Sequence, residues 1–198
     1  MAAAYNVAEG KVQARFHRRS NRGFTLIEVL VAVFVFTVGI LGAGAAQIAA
    51  LQTRHATALL SSGVHLAGSL ADRMRANSPQ MHAGDAFNPY LQLRYDAADG
   101  APQPPPVLCF AGADCSSAQM AAFDLFEVEQ AAHAGFPGAR IVVCRDGAMW
   151  ADGPRALAWD CVGGAGAPIV IKLGWRARQG AEADFAPTVA IAVAGAFE

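Results

Sequence analysis

The feature that most constrains this chain is an unbroken apolar run near its start, Gly23 to Gln47, reading GFTLIEVLVAVFVFTVGILGAGAAQ. From Phe24 to Ala46 every residue is apolar or small apart from Thr25, Thr37 and one acid, Glu28. At 1.5 Å per residue a helix of this length spans roughly 34 Å, enough to cross a hydrocarbon core of about 30 Å. Five cations (Lys11, Arg15, Arg18, Arg19, Arg22) precede the run against the single acid Glu9. Positive charge flanking a first span holds that side in the cytoplasm, so the carboxy-terminal bulk is expected to be exported. An ordinary signal peptide has a shorter apolar core and a small-x-small cleavage site. Ala43-Gly44-Ala45 has that form, but the core here is too long and contains Glu28.

A carboxylate in a spanning helix costs about 2.5–3.5 kcal/mol at the bilayer centre and less near the end, so it points to a function and a partner. Cutting the chain between Gly23 and Phe24 creates an ammonium at Phe24, one helical turn before Glu28. The acid is placed to neutralise an amino terminus, its own or a neighbour's. The segment RGFTLIEVLVA resembles the processing site of type IV prepilins. That resemblance implies cleavage after Gly23 by a prepilin peptidase, N-methylation of Phe24, and a role for Glu28 in steering the subunit into a filament. Further along, Ala71–Asn77, reading ADRMRAN, resembles the minor pilins of the PilV type, the type IV pilus modification proteins. Met120–Glu127 with its flanking cysteines, and the aliphatic stretch ending at Trp175, resemble the same group.

The likeness covers most of 23–176. It implies a cytoplasmic leader at 1–23, the membrane half of a long helix at 24–51, and a periplasmic pilin domain at 52–198 that includes the helix's amphipathic half. It also implies storage in the inner membrane, then assembly by the pilus machinery beside other minor and major pilins in an extracellular pilus. The leader is long for a prepilin, which leaves room for a later start codon.

Charge is unevenly spread. Pro79 to the end carries seven basic and thirteen acidic residues, a net of −6. Electrostatic capture of DNA needs a basic patch that displaces phosphate counterions, and Lys172, Arg176 and Arg178 alone make a weak stripe. No nucleic-acid partner is expected. The four cysteines (Cys109, Cys115, Cys144, Cys161) lie beyond the span, which reads as two disulfides in an oxidising compartment. Three pairings are possible; Cys109–Cys115 and Cys144–Cys161 are favoured because each joins sequence neighbours across a turn. Zinc is the rival, but no CxxC occurs and only His133 lies among the cysteines.

Ile48, Leu51, Leu59, Leu66, Leu70 and Met74 recur at helical spacing, with Ala58 and Ser62 filling the stripe. No proline appears before Pro79, so one helix is expected from about Phe24 to Asn77, closed by Asn77-Ser78-Pro79. Gly39, Gly42 and Gly44 read equally as sites of close helix packing or as a weak point that extends in a filament. Residues 79–108 read as an irregular connection and Ser117 to about Ala134 as a second helix. That helix is expected to bury Met120, Phe123, Leu125, Phe126 and Val128, with Asp124, Glu127 and Glu129 outside. Strands are expected at Arg140–Arg145, Arg155–Cys161, Ile169–Trp175 and around Val189–Val193, with Lys172 and Arg176 on the polar face. The fold class is α+β and pilin-like: a long amino-terminal helix across a four-stranded antiparallel sheet, with a short second helix.

No GxSxG, HExxH or phosphate-binding glycine loop occurs, and the histidines are scattered. No catalytic residue, metal ligand or cofactor is expected. The expectation is a minor pilin that takes part in pilus assembly or initiation. The alternatives are a type II secretion pseudopilin, or an adhesin or DNA-binding module carried on the fibre.

Overall fold

A computed structural model describes residues 23–110, 114–151, 153, 156–164, 166–176 and 185–193. The chain divides into two compact units, Met1–Ala50 and Leu51–Glu198. The first helix, α1 (Leu26–Ala76), begins in the first and ends in the second. In the first unit its apolar side chains face outward, Leu26 82% and Leu41 75% exposed, as does Phe24 just ahead of it at 81%. Among the described residues α1 is the one helix long and apolar enough to cross a membrane. The Thr37 hydroxyl donates to the Phe34 carbonyl at 2.8 Å, so this polar group is satisfied within the apolar stretch. At Gly39, Gly42 and Gly44 an added Cβ meets nothing within 4 Å, so no contact among the described residues requires these glycines.

In the second unit α1 buries Gly63, Ala67, Leu70, Ala71 and Met74. These positions fall on one face at helical spacing. Leu59 and Leu66 pack partly against the core, whereas Ile48 and Leu51, expected on the same stripe, are exposed. Gly63 is required sterically, because a Cβ there would lie 2.8 Å from the Trp175 ring. The helix ends at Ala76, and a four-residue helix α2 (Ser78–Met81) starts at once. Pro79 lies in its first turn, where a missing N–H costs nothing.

The connection that follows is more ordered than its composition implies. It holds 3-10 turns at Asp85–Phe87, Pro89–Gln92 and Ala97–Asp99, and a strand β1 (Arg94–Asp96). Asn88 Oδ1 accepts from the Tyr90 amide and Asp96 Oδ1 from the Ala98 amide, fixing the turns on either side of β1. Helix α3 (Ser117–Gly135) opens with a reciprocal cap. Ser116 Oγ accepts from the Gln119 amide, and Gln119 Oε1 accepts from the Ser116 amide. Met120, expected in the core, is 37% exposed, while Asp124, expected outside, is buried.

The remaining strands are β2 (Arg140–Arg145), β3 (Trp150–Ala151), β4 (Ala156–Leu157), β5 (Ile169–Gly174) and β6 (Val189–Ala192). The main sheet is antiparallel throughout, in the order β1-β2-β5-β6. It has four strands, but not the four read from alternation. β1 falls within the stretch whose composition predicts an irregular connection, and the expected strand at Arg155–Cys161 reduces to β4, paired with β3 in a separate two-stranded ribbon. Residue 155 lies outside the described residues. Tyr95, Ile141, Val143, Ile171, Leu173 and Val189 join Leu70, Met74, Val128 and Ala132 in one core.

Contrary to the expected alternation, all six residues of β5 are buried, Lys172 included. Two faces are covered. The second is closed by the loop after β4, where Cys161 is bonded to Cys144 and the Trp159 ring stacks beneath the Arg140 guanidinium at 4.6 Å.

Candidate processing and assembly site

Gly23, Phe24 and Thr25 precede α1, and Glu28 sits in its first turn. The Thr25 carbonyl accepts from the Glu28 amide at 3.1 Å and the Val29 amide at 3.3 Å, and its hydroxyl accepts from the Glu28 amide at 3.4 Å. Thr25 is therefore the residue that caps the helix, and Glu28 stands at the third helical position. Thr-x-x-Glu has the form of a reciprocal cap, but only the threonine half is made. Among the described residues none donates to the Glu28 carboxylate. The peptide bond between Gly23 and Phe24 lies in exposed, non-helical chain just ahead of the first turn. An acid one turn inside an apolar helix, with no ion-pair partner among the described residues, is suited to receive a cation from elsewhere.

In the second unit the charged side chains near the end of α1 are engaged within the chain. Arg73 donates to Asp124 at 2.9 Å and also bonds to Glu127. Asp124 accepts from the Tyr90 hydroxyl at 2.7 Å, and Asn77 Nδ2 donates to the Tyr90 oxygen at 3.2 Å and to the Ser117 carbonyl at 2.8 Å. Burial first, and the Asp124 carboxylate second, push the Tyr90 phenol far above its ordinary range. Arg75 pairs with Asp72 one turn away, at the surface. Thus Arg73 and Asn77 of the ADRMRAN segment serve to lock the end of α1 onto α3.

The structure holds disulfides Cys109–Cys115 and Cys144–Cys161, and no free cysteine among the described residues. Sequence reasoning missed a buried ion pair beside the second. Lys172 Nζ lies 2.6 Å from Asp146 Oδ2, with both side chains fully buried. Burial pushes the Asp146 carboxyl up, but the Lys172 ammonium and the amides of Ala148 and Val162 outweigh it and hold it below the usual carboxylate range. Lys172 thereby leaves the weak basic stripe, and Arg178 lies outside the described residues. Among the described residues no cluster of His, Cys, Asp and Glu is arranged to hold a metal.

Two family profiles match, end to end. The prokaryotic N-terminal methylation motif matches residues 18–44, and the family described as type IV pilin Tt1218 matches residues 45–126. Together they run without a gap over more than half of the chain, from the cations before the span into α3. The two matches support a type IV pilin. No curated protein and no solved structure gives a significant match. Type IV pilins are structural subunits, and the motif implies processing by a prepilin peptidase and assembly with other pilins. The apolar start of α1 fits a membrane-anchored pilin.

Proposed function

We propose that this pilin is a minor subunit of a type IV pilus, of the PilV type, and that it takes part in pilus assembly or initiation. Prepilin peptidase cuts between Gly23 and Phe24, and Phe24 is N-methylated. Residues 1–23 are then the cytoplasmic leader, 24–51 the membrane half of the helix, and 52–198 the periplasmic domain. The span holds the subunit in the inner membrane until the assembly machinery extracts it into the extracellular pilus among other minor and major pilins. Glu28 then meets the methylated ammonium of Phe24 on an adjoining subunit, a pair whose attraction rises as water is excluded.

The observation that carries this reading is the Glu28 carboxylate, which has no donor among the described residues and lies one turn from the Gly23–Phe24 bond. The ADRMRAN segment and the acidic domain support the minor-pilin reading. The test is Glu28→Ala expressed in place of the native chain. Processing is expected to remain intact, while the amount recovered in sheared pili falls at least about tenfold, the factor for a loss of about 1.4 kcal/mol. Normal incorporation of the variant contradicts the pairing.

A further inference from the structure

Lys172 is one of two lysines in the chain and the only one beyond Lys11. Its ammonium has three acceptors: Asp146 Oδ2 at 2.6 Å, the Ala158 carbonyl at 2.8 Å and the Asp160 carbonyl at 2.5 Å. The other carboxylate oxygen, Asp146 Oδ1, accepts from the Ala148 amide at 3.0 Å and the Val162 amide at 3.1 Å. Three of these five contacts come from the backbone of one short loop, 158–162. That loop is tied to the sheet by Cys161, bonded to Cys144 on β2. Cys144 is buried, whereas Cys161 is exposed. A buried charge pair is tolerated only when its remaining donors and acceptors are satisfied. The loop is also held by the Gly147 amide on the Val162 carbonyl at 2.7 Å, the Ala158 amide on the Met149 carbonyl at 2.9 Å and the Trp159 indole on the Phe185 carbonyl, and the disulfide adds its covalent tie to β2.

We infer that Cys144–Cys161 is a redox latch on the buried Lys172–Asp146 pair, opened and closed by thiol–disulfide exchange at Cys161, the exposed residue of the two. In opening, a thiolate of a dithiol reductant attacks Cys161 Sγ, and the S–S electron pair leaves on Cys144 Sγ, which takes a proton. The reductant's second thiolate then displaces Cys161 Sγ, giving two protein thiols and the reductant's own disulfide. Closing is the reverse, with a protein disulfide as oxidant. With the latch open the loop leaves, its carbonyls no longer hold the ammonium, and water reaches Lys172. The second cover of the sheet is thus completed only in an oxidising compartment, whether or not the chain enters a filament.

The test uses the full chain in detergent and the amine reagent N-hydroxysuccinimide acetate, with the guanidinium-unfolded chain as reference. In the native chain Lys172 is expected to stay protected. In Cys144→Ala/Cys161→Ala, with helix content retained, it is expected to acetylate at least about tenfold faster. Equal protection in the two chains overturns the latch. If the cysteine variant loses its helix content, the readout is Lys172→Met/Asp146→Leu in the same background. Recovery of a cooperative melt there supports the latch, because no charge is left to uncover. Failure to recover overturns it. The 23–24 bond is not involved, so the result stands apart from the pilus assay.

Discussion

At the scale of residues, the Lys172–Asp146 pair shows how charge is kept inside this domain, with geometry satisfying both partners. Lys172 and Asp146 are both fully buried, and each also bonds to backbone groups. Removing one partner strands the other, at a cost of about 3–5 kcal/mol. Lys172→Met is therefore expected to lower the denaturation free energy of the domain by that amount, measured by guanidinium unfolding. The pH dependence has a definite sign. Asp146 is held low because Lys172 and two amides outweigh burial, and Asp85 is held low by hydrogen bonds from Arg145. Carboxyls depressed in the folded state stabilise it fully above their unfolded value of about 4, and that stability is lost as pH falls through the folded values. Glu129 acts oppositely, since burial raises its carboxyl and favours the folded state at low pH. Two carboxyls are depressed against one raised, so the melting temperature is expected to fall below about pH 4. Lys172→Met is expected to flatten that fall, and an unchanged profile in the variant contradicts the assignment.

At the scale of elements, close approach outweighs propensity at Gly63. Elsewhere in a helix, glycine to alanine gains about 1 kcal/mol. Here the new Cβ sits 2.8 Å from the Trp175 ring, which packs at 4.9 Å on Phe136. Overpacking of this kind costs about 1–3 kcal/mol, so Gly63→Ala is expected to lower the melting temperature. The helices were the legible elements. The run from Leu26 to Ala76 has no breaker, and Ser116 with Gln119 marks the start of α3. The strands were less so. β1 has three residues and lies between two 3-10 turns, too short for alternation to register. The stretch from Leu157 to Cys161 alternates in hydrophobicity without being a strand beyond Leu157, because Trp159 and Cys161 reach the sheet from a loop. That loop also explains Lys172. A lysine opposite Ile171 and Leu173 reads as solvent-facing until the second cover, which no local pattern announces, is in place.

At the scale of the whole molecule, the candidate site was legible because its signal is local. One acid lies in an otherwise apolar run, one turn after a glycine-phenylalanine bond. Its proposed partner was visible only as chemistry, since the proposal places it on another subunit and makes it a product of cleavage. The α3 junction was hidden for a different reason: Arg73 and Asp124 are 51 residues apart, and nothing in either segment selects the other. The assembly account rests on the amino terminus that exists in the cell. Intact-mass and amino-terminal analysis of the protein extracted from membranes reads it directly. The account predicts a chain that begins at Phe24 and carries one added methyl group on its amine; a chain that keeps its first 23 residues, or begins near Ala46 as a soluble product, contradicts it.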